Sequence, residues 1–201
     1  MARIRRQTNS DTATRILDVA ERLVQRRGFN GFSYADVAAE LGITTASLHY
    51  HYAGKADLGQ ALIDRYAARF MAALADLDAR FPNVDDRLQS YAGLYGDVLR
   101  RHRLCLCGML AAEYQTLPKP MRAAVVRFFD QNEAWLSEVL ELGREQGSLR
   151  FAGDTGDIAR MIVSSLEGAM LVSRPYGDNG RFQSAAAQLI ASLAGPVAVA
   201  K

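Results

Sequence analysis

With 201 residues, 49% of them hydrophobic and 23% charged, the chain suits one large core, or a small head on a larger body. The formal net charge is only +2, which excludes a polycation, but the charge is unevenly placed. Residues 1–55 carry eight Lys/Arg against five Asp/Glu, so a basic head precedes a near-neutral body, as expected when one end meets nucleic acid. Arg3, Arg5 and Arg6 are followed by no apolar stretch, and no run reaches the roughly 18 apolar residues that cross a bilayer, so a soluble cytoplasmic protein is expected. Two cysteines make no disulfide scaffold.

Apolar residues recur with helical spacing along the whole chain, and no segment alternates with a period of two, so the expected fold is all-α with about nine helices. Ile16, Val19, Ala20, Leu23 and Val24 form the first stripe, with candidate caps at Ser10 to Thr12 and a stop at Gly28. Ser33 with Asp36 fits a capping box ahead of Val37, Ala38 and Leu41. Gly42 breaks that helix, and Thr44 can cap a short third one through about Tyr50. A long Ala-rich helix is expected from about Lys55 to Arg80, and another over roughly Asp85–Arg101. A short helix from about Leu106 to Tyr114 is interrupted by Leu117-Pro118-Lys119-Pro120. A long helix then runs from about Met121 to near Gly147. Asp154 caps the next, which stops at Arg174-Pro175-Tyr176-Gly177, and a last helix covers about Arg181–Leu193 before a frayed tail from Gly195. The expected division is a three-helix head, 1–54, and a helical body, 55–201.

Residues 33–58 have the physics of a helix-turn-helix. Ala38 is small enough for two helices to approach, Gly42 permits a positive φ in the turn, and Leu41, Ile43 and Leu48 supply a buried wedge. Thr44, Thr45, Tyr50 and His51 remain for the outside of a helix that fits a major groove. His49 and His51 fall on different faces of that helix, so a metal pair is not expected.

Here the sequence resembles the tetracycline-repressor (TetR) family: Arg26-Arg27-Gly28-Phe29, then Phe32 through Leu58 with Gly-Ile-Thr-Thr-Ala-Ser-Leu, an aromatic, His51, an aromatic and Lys55. The resemblance implies that Thr44, Thr45 and Tyr50 face base edges or sugars. His51 and Lys55 hold phosphates, as does the Ser33 hydroxyl or the backbone nearby. His49 stands where the family usually carries Tyr, and a phosphate contact is the role open to it. The arm of Arg3, Arg5 and Arg6 adds minor-groove or phosphate contacts. The implied partners are a double-stranded DNA operator, a small-molecule effector and a second copy of the chain, with no membrane and no cofactor. The dimer surface by resemblance is the last two helices, where Ser164, Ser165, Gly168, Ala169, Ala185 and Ala186 allow close packing in a four-helix bundle; the alternative is packing within one chain.

The resemblance also places an effector cavity in the body. Its candidate lining is Met71, Tyr91, Tyr95, Met109, Glu113, Phe128, Trp135, Glu167 and Met170, each of which could equally be core. Glu113 and Glu167 stand out as carboxylates in apolar stretches, which need a partner or a proton. The run Cys105-Leu106-Cys107-Gly108-Met109-Leu110-Ala111-Ala112-Glu113 is similar to a segment of TetR repressors that control reductases and acrylate or aldehyde detoxification, in which the cysteine matching Cys105 can sense electrophiles or oxidants. Independently, Arg100, Arg101, His102 and Arg103 precede Cys105 and a helix begins there, both of which favour a thiolate. The alternative is a small buried hydrophobe. His102, Cys105 and Cys107 lack an evident fourth zinc ligand.

No Gly-rich phosphate loop, His-Glu-x-x-His or Gly-x-Ser-x-Gly is present, so an enzyme is not expected. A repressor, an activator of the same fold and a non-enzymatic helical binding module remain. The last leaves the basic head unexplained, and operator position separates the first two.

Overall fold

The computed structural model describes the backbone of residues 2–194 and the side chains of residues 11–194. Nine α-helices are found among the described residues: α1 Ala2–Arg27, α2 Tyr34–Leu41, α3 Thr45–His51, α4 Lys55–Arg80, α5 Val84–Arg100, α6 Leu106–Ala112, α7 Lys119–Glu145, α8 Thr155–Ser173 and α9 Asn179–Ala191. Short 3₁₀ turns follow α6 (Tyr114–Thr116) and α8 (Arg174–Tyr176). The only described β feature is an isolated bridge between Leu149 and Ala194. No described helix is long and apolar enough to cross a membrane.

The chain packs as two compact units, residues 1–68 with 105–126, and residues 69–104 with 127–201. In the first, Ile16, Ala20 and Val24 of α1 are fully buried, as are Val37 of α2, Leu48 of α3 and Leu58 of α4. Arg65 of α4 ties α1 down through 2.8 Å ion pairs with both Asp18 and Glu21. In the second unit α8 packs along α9, and α9 along α5. Its core includes Leu88, Leu136, Leu140, Ala159, Leu166 and Phe182.

Element ends follow local chemistry. The Ser33 side chain accepts from the Asp36 N–H while the Asp36 carboxylate accepts from the Ser33 N–H, so the capping box is formed. Gly42 takes φ 66° and closes α2 on the Ala38 and Ala39 carbonyls. Thr44 caps α3 by accepting from the Ser47 N–H, and Asp154 and Asp178 cap α8 and α9 in the same manner.

Three helix starts differ from the sequence expectation by two residues or more. Helix α1 begins at Ala2, so Ser10 to Thr12 lie inside it rather than capping it; residues 2–12 hold no Gly or Pro to stop a helix. Helix α7 begins at Lys119, with Pro120 in its first turn, where the missing N–H has no intrahelical partner to lose. Helix α9 begins two residues early because Asp178 is its cap. The tail from Gly195 lies outside the described residues, as do the side chains of Arg3, Arg5 and Arg6.

Two helical glycines of the second unit make opposite demands. A Cβ at Gly143 would lie 2.5 Å from Leu149 Cδ1 and 3.0 Å from Val84 Cγ1, whereas one at Gly93 meets nothing within 4 Å. Gly143→Ala should therefore destabilise by about 1–3 kcal/mol through overpacking. Gly93→Ala should stabilise by about 0.5–1 kcal/mol. Urea unfolding of the two variants checks the sign of each.

Candidate functional site

The candidate DNA-facing surface begins with α3. Leu48 is fully buried, Leu41 and Ile43 are half-buried, and buried Ala38 gives α2 room beside α3. On the other side Thr44, Thr45, His49 and Tyr50 are all exposed, and Tyr50 is 76% exposed. An aromatic ring left that far in water has no packing role within the chain. The Thr44 hydroxyl oxygen is engaged as the α3 cap but keeps its own proton to donate. His49 Nδ1 is 3.0 Å from the Ala53 carbonyl, which can only accept, so Nδ1 carries the proton and Nε2 faces outward. Its ring lies 4.8 Å from that of Tyr34. Half-buried His51 meets Tyr50 edge to face at 5.3 Å.

Two further predicted phosphate contacts are engaged within the chain. The Ser33 hydroxyl donates to Asp36 at 2.6 Å, which, with the Ser33 N–H, holds the Asp36 carboxyl below the usual carboxylate range. Lys55 Nζ donates to the Phe32 carbonyl and sits over the rings of Phe29 (4.8 Å) and Phe32 (4.4 Å). Burial lowers its pKa against the opposing pull of Glu113 and Asp36. Tyr34 braces the same region by donating to the Tyr52 carbonyl at 3.0 Å; burial, reinforced by Asp57, pushes its phenol up to about 12, so it stays neutral.

Glu113 meets the turn between α1 and α2. Its carboxylate accepts the Phe29 N–H at 2.5 Å and the Asn30 N–H at 3.3 Å from each oxygen. Asn30 Nδ2 adds a 2.8 Å bond to the Thr116 hydroxyl. Gly28, at φ 83°, makes this approach possible, since a Cβ there would lie 2.6 Å from a Glu113 oxygen. Cys105 and Cys107 are buried free thiols; Cys105 precedes α6, and the Tyr66 hydroxyl donates to its sulfur at 3.6 Å. Met109, on α6, is half-buried. The basic residues Arg100 to Arg103 belong to the other compact unit.

In the second unit four of the predicted effector residues come together. Tyr91 and Tyr95 of α5 pack at 5.4 Å, and Trp135 of α7 stacks on Tyr91 at 5.5 Å. Phe128, also on α7, reaches them through Phe70 of α4, whose ring lies 5.3 Å from Phe128, 6.2 Å from Tyr91 and 6.0 Å from Tyr95. Beneath the rings the Tyr91 hydroxyl lies 3.0 Å from both the Tyr95 hydroxyl and Asn132 Oδ1. Trp135 donates to Asp78 at 2.8 Å. Sequence reasoning missed Phe70 and Asn132. Asn132 falls between Phe128 and Trp135 on one helical stripe, the same signal of a polar residue in an apolar run that singled out Glu113. Glu167 is half-buried on α8. None of the predicted effector residues lines a separate groove of about 440 Å3 floored by Ala92, Gly96, Phe182 and Ile190.

Along α8 the outward positions include exposed Met161, Ser164, Ser165, Leu171 and Val172, while Gly168 and Ala169 are half-buried. On α9 Ala185 is exposed and Ala186 is buried within the chain.

Comparison with known proteins agrees with this geometry. Residues 16–62 match the family described as bacterial regulatory proteins, tetR family, and residues 86–189 match the tetracyclin repressor-like C-terminal domain. The HTH-type transcriptional repressor NemR of Escherichia coli K12 is 28% identical over 171 residues, covering 83% of this chain and 86% of that protein. A solved TetR-family transcriptional regulator from Agrobacterium tumefaciens superimposes with a TM-score of 0.90 at 31% identity, over 93% of this chain and 100% of that one. The reduced form of E. coli NemR gives a TM-score of 0.80 at 27% identity, over 92% and 99%. The chain belongs to the TetR family of DNA-binding transcriptional regulators.

Proposed function

We propose that the chain is a non-enzymatic cytoplasmic repressor that binds a pseudo-palindromic operator as a homodimer and leaves it when an effector or an electrophile acts on its body. The exposed face of α3, with Tyr50 at its centre, is the observation that carries DNA recognition. Residues 1–54 serve as the head and 55–201 as the effector and dimerisation body. Thr44, Thr45 and Tyr50 read base edges or sugars; His49, through Nε2, and His51 meet phosphates. Lys55 and Ser33 act chiefly by holding the head's turns in place, and Lys55 spares its remaining N–H donors for a phosphate. The exposed apolar and small residues of α8 and α9 support dimerisation through those helices.

Two inputs are proposed, one in each compact unit. One is reversible binding at Tyr91, Tyr95, Phe128 and Trp135, with Glu167 as a further candidate. The other is modification of Cys105, a buried free thiol beside the Tyr66 hydroxyl; E. coli NemR, to which the chain is similar, has a reduced form. Glu113 then acts as a coupler rather than a ligand contact, because it joins the end of α6 to the turn behind α2 and α3. Either input shifts α4, the two recognition helices lose their spacing of about 34 Å, and the operator is released.

Fluorescence anisotropy on labelled DNA from upstream of the chain's own gene tests the core claim. Tyr50→Ala should lose about 1–3 kcal/mol on operator and little on random DNA, with stability unchanged. Lys55→Ala should weaken both DNAs and, unlike Tyr50→Ala, cost about 1–2 kcal/mol of folding stability as its carbonyl and ring contacts vanish. Failure to bind any member of a genome-wide DNA library would remove the repressor reading.

A second series addresses the thiol. N-ethylmaleimide should lower operator affinity at least about tenfold, slowly because Cys105 must first be exposed by local opening, and Cys105→Ser should abolish the effect. Glu113→Ala should cost about 1–3 kcal/mol of stability, since two backbone donors lose their acceptor, and should also reduce the maleimide response. Equal responses in the wild type and Cys105→Ser would exclude the thiol route.

A further inference from the structure

The aromatic cluster of the second unit has an unspent polar group at its base. Asn132 is fully buried, and its Oδ1 accepts from the Tyr91 hydroxyl, but its Nδ2 has no hydrogen-bond partner. Tyr91 and Tyr95 beside it are buried to within 2%, and the Tyr95 hydroxyl is joined to that of Tyr91. A buried amide nitrogen without an acceptor costs free energy, and an apolar side chain would pack an all-aromatic surround without that cost. With Oδ1 held by the Tyr91 hydroxyl, Nδ2 is the end of the amide left for a further partner.

The surround defines what could use them. Phe70, Tyr91, Tyr95, Phe128 and Trp135 offer ring faces and edges, which suit a flat apolar molecule. At the edge of the cluster Asp78 is bonded to Trp135 Nε1 and paired with Arg87 at 3.1 Å. A carboxylate already balanced by a guanidinium leaves that edge near neutral, which suits an uncharged ligand. Phe70 and Trp135 are half-buried whereas Tyr91, Tyr95 and Asn132 are buried, so these two rings form the side of the cluster nearer solvent.

We infer that Asn132, oriented by Tyr91 and Tyr95, is the specificity-determining donor of a site for an uncharged, flat aromatic compound bearing an acceptor oxygen, such as an aryl ketone. This rests on the reading of the aromatic cluster as the reversible effector site, and it names the ligand class that the cluster takes.

Trp135 is the only tryptophan in the chain and stacks on Tyr91, so its fluorescence reports this site directly. The full-length protein is titrated with 1-indanone and 1-tetralone, neither of which is a thiol-reactive electrophile, and with the matching hydrocarbons indane and tetralin. Isothermal calorimetry supplies affinities, and Trp135 emission supplies the location. The ketones are expected to bind at least about tenfold more tightly than the hydrocarbons, and to perturb Trp135. Asn132→Leu should bring the ketones down to hydrocarbon affinity while leaving hydrocarbon binding intact. Tyr91→Phe, which frees the amide from its anchor, should shrink the ketone preference and serves if Asn132→Leu does not fold. Equal affinities for ketone and hydrocarbon, a ketone preference that survives in both variants, or no ketone binding at millimolar concentration would overturn the inference. Operator binding is measured on the same samples. Ketone binding without operator release keeps the site and removes its effector role, whereas maleimide release without ketone binding removes the site and keeps the repressor.

Discussion

Helix α1 ends at Gly28 and leaves the N–H groups of Phe29 and Asn30 pointing past its last turn. Phe29 is buried and its N–H must find an acceptor; the carboxylate of Glu113 accepts it, and accepts the N–H of exposed Asn30 as well. The same short turn supplies the Phe32 carbonyl to Lys55 and two aromatic rings to its ammonium. A single stretch of five residues is thus held by an anion from the end of α6 and a cation from the start of α4. The positions of α2 and α3 follow from it, because they hang on the chain that leaves this turn. Any displacement of α6 or of the first turn of α4 must therefore be felt where the head begins.

The recognition helix works by the opposite logic. Its buried side is reduced to Leu48 and the half-buried Leu41 and Ile43, enough to hold a seven-residue helix against its neighbour. Its other side is left chemically open. Thr44 and Ser33 give their oxygens to helix capping, and His49 gives Nδ1 to a carbonyl, so the groups left on the open side include the Thr44 proton, Thr45, the other nitrogen of His49 and the ring and hydroxyl of Tyr50. Local hydrogen bonding has selected which polar atoms are free to meet DNA.

The second unit concentrates its chemistry in a core that is not purely apolar. Five aromatic side chains cluster there, and the hydroxyls of two of them are linked to each other and to the amide oxygen of Asn132. Such a cluster is poorer for stability than a hydrocarbon core of the same volume. Trp135, tethered to Asp78, forms its half-buried edge.

The sequence alone determined the helices and the family, because helix formation and capping are decided within a few residues. The Ser33–Asp36 box, the left-handed Gly42, the Thr44 cap and the stripe from Ile16 to Val24 are all interactions across four positions or fewer, or a simple repeat of them. The same locality misplaced the start of α1 and of α7, since a candidate cap or proline acts only when the chain around it lacks a better alternative. Tertiary structure decided the roles of single side chains. Glu113 was legible as a carboxylate needing a partner, but that partner is a backbone 84 residues away. Lys55 was legible as a cation near the head, but only packing turned it toward Phe32. Asn132 finds Tyr91 across 41 residues. Sequence spacing carries the period of a helix, but it carries no information about which distant face that helix meets, and that meeting is what fixes the partner of every buried polar group.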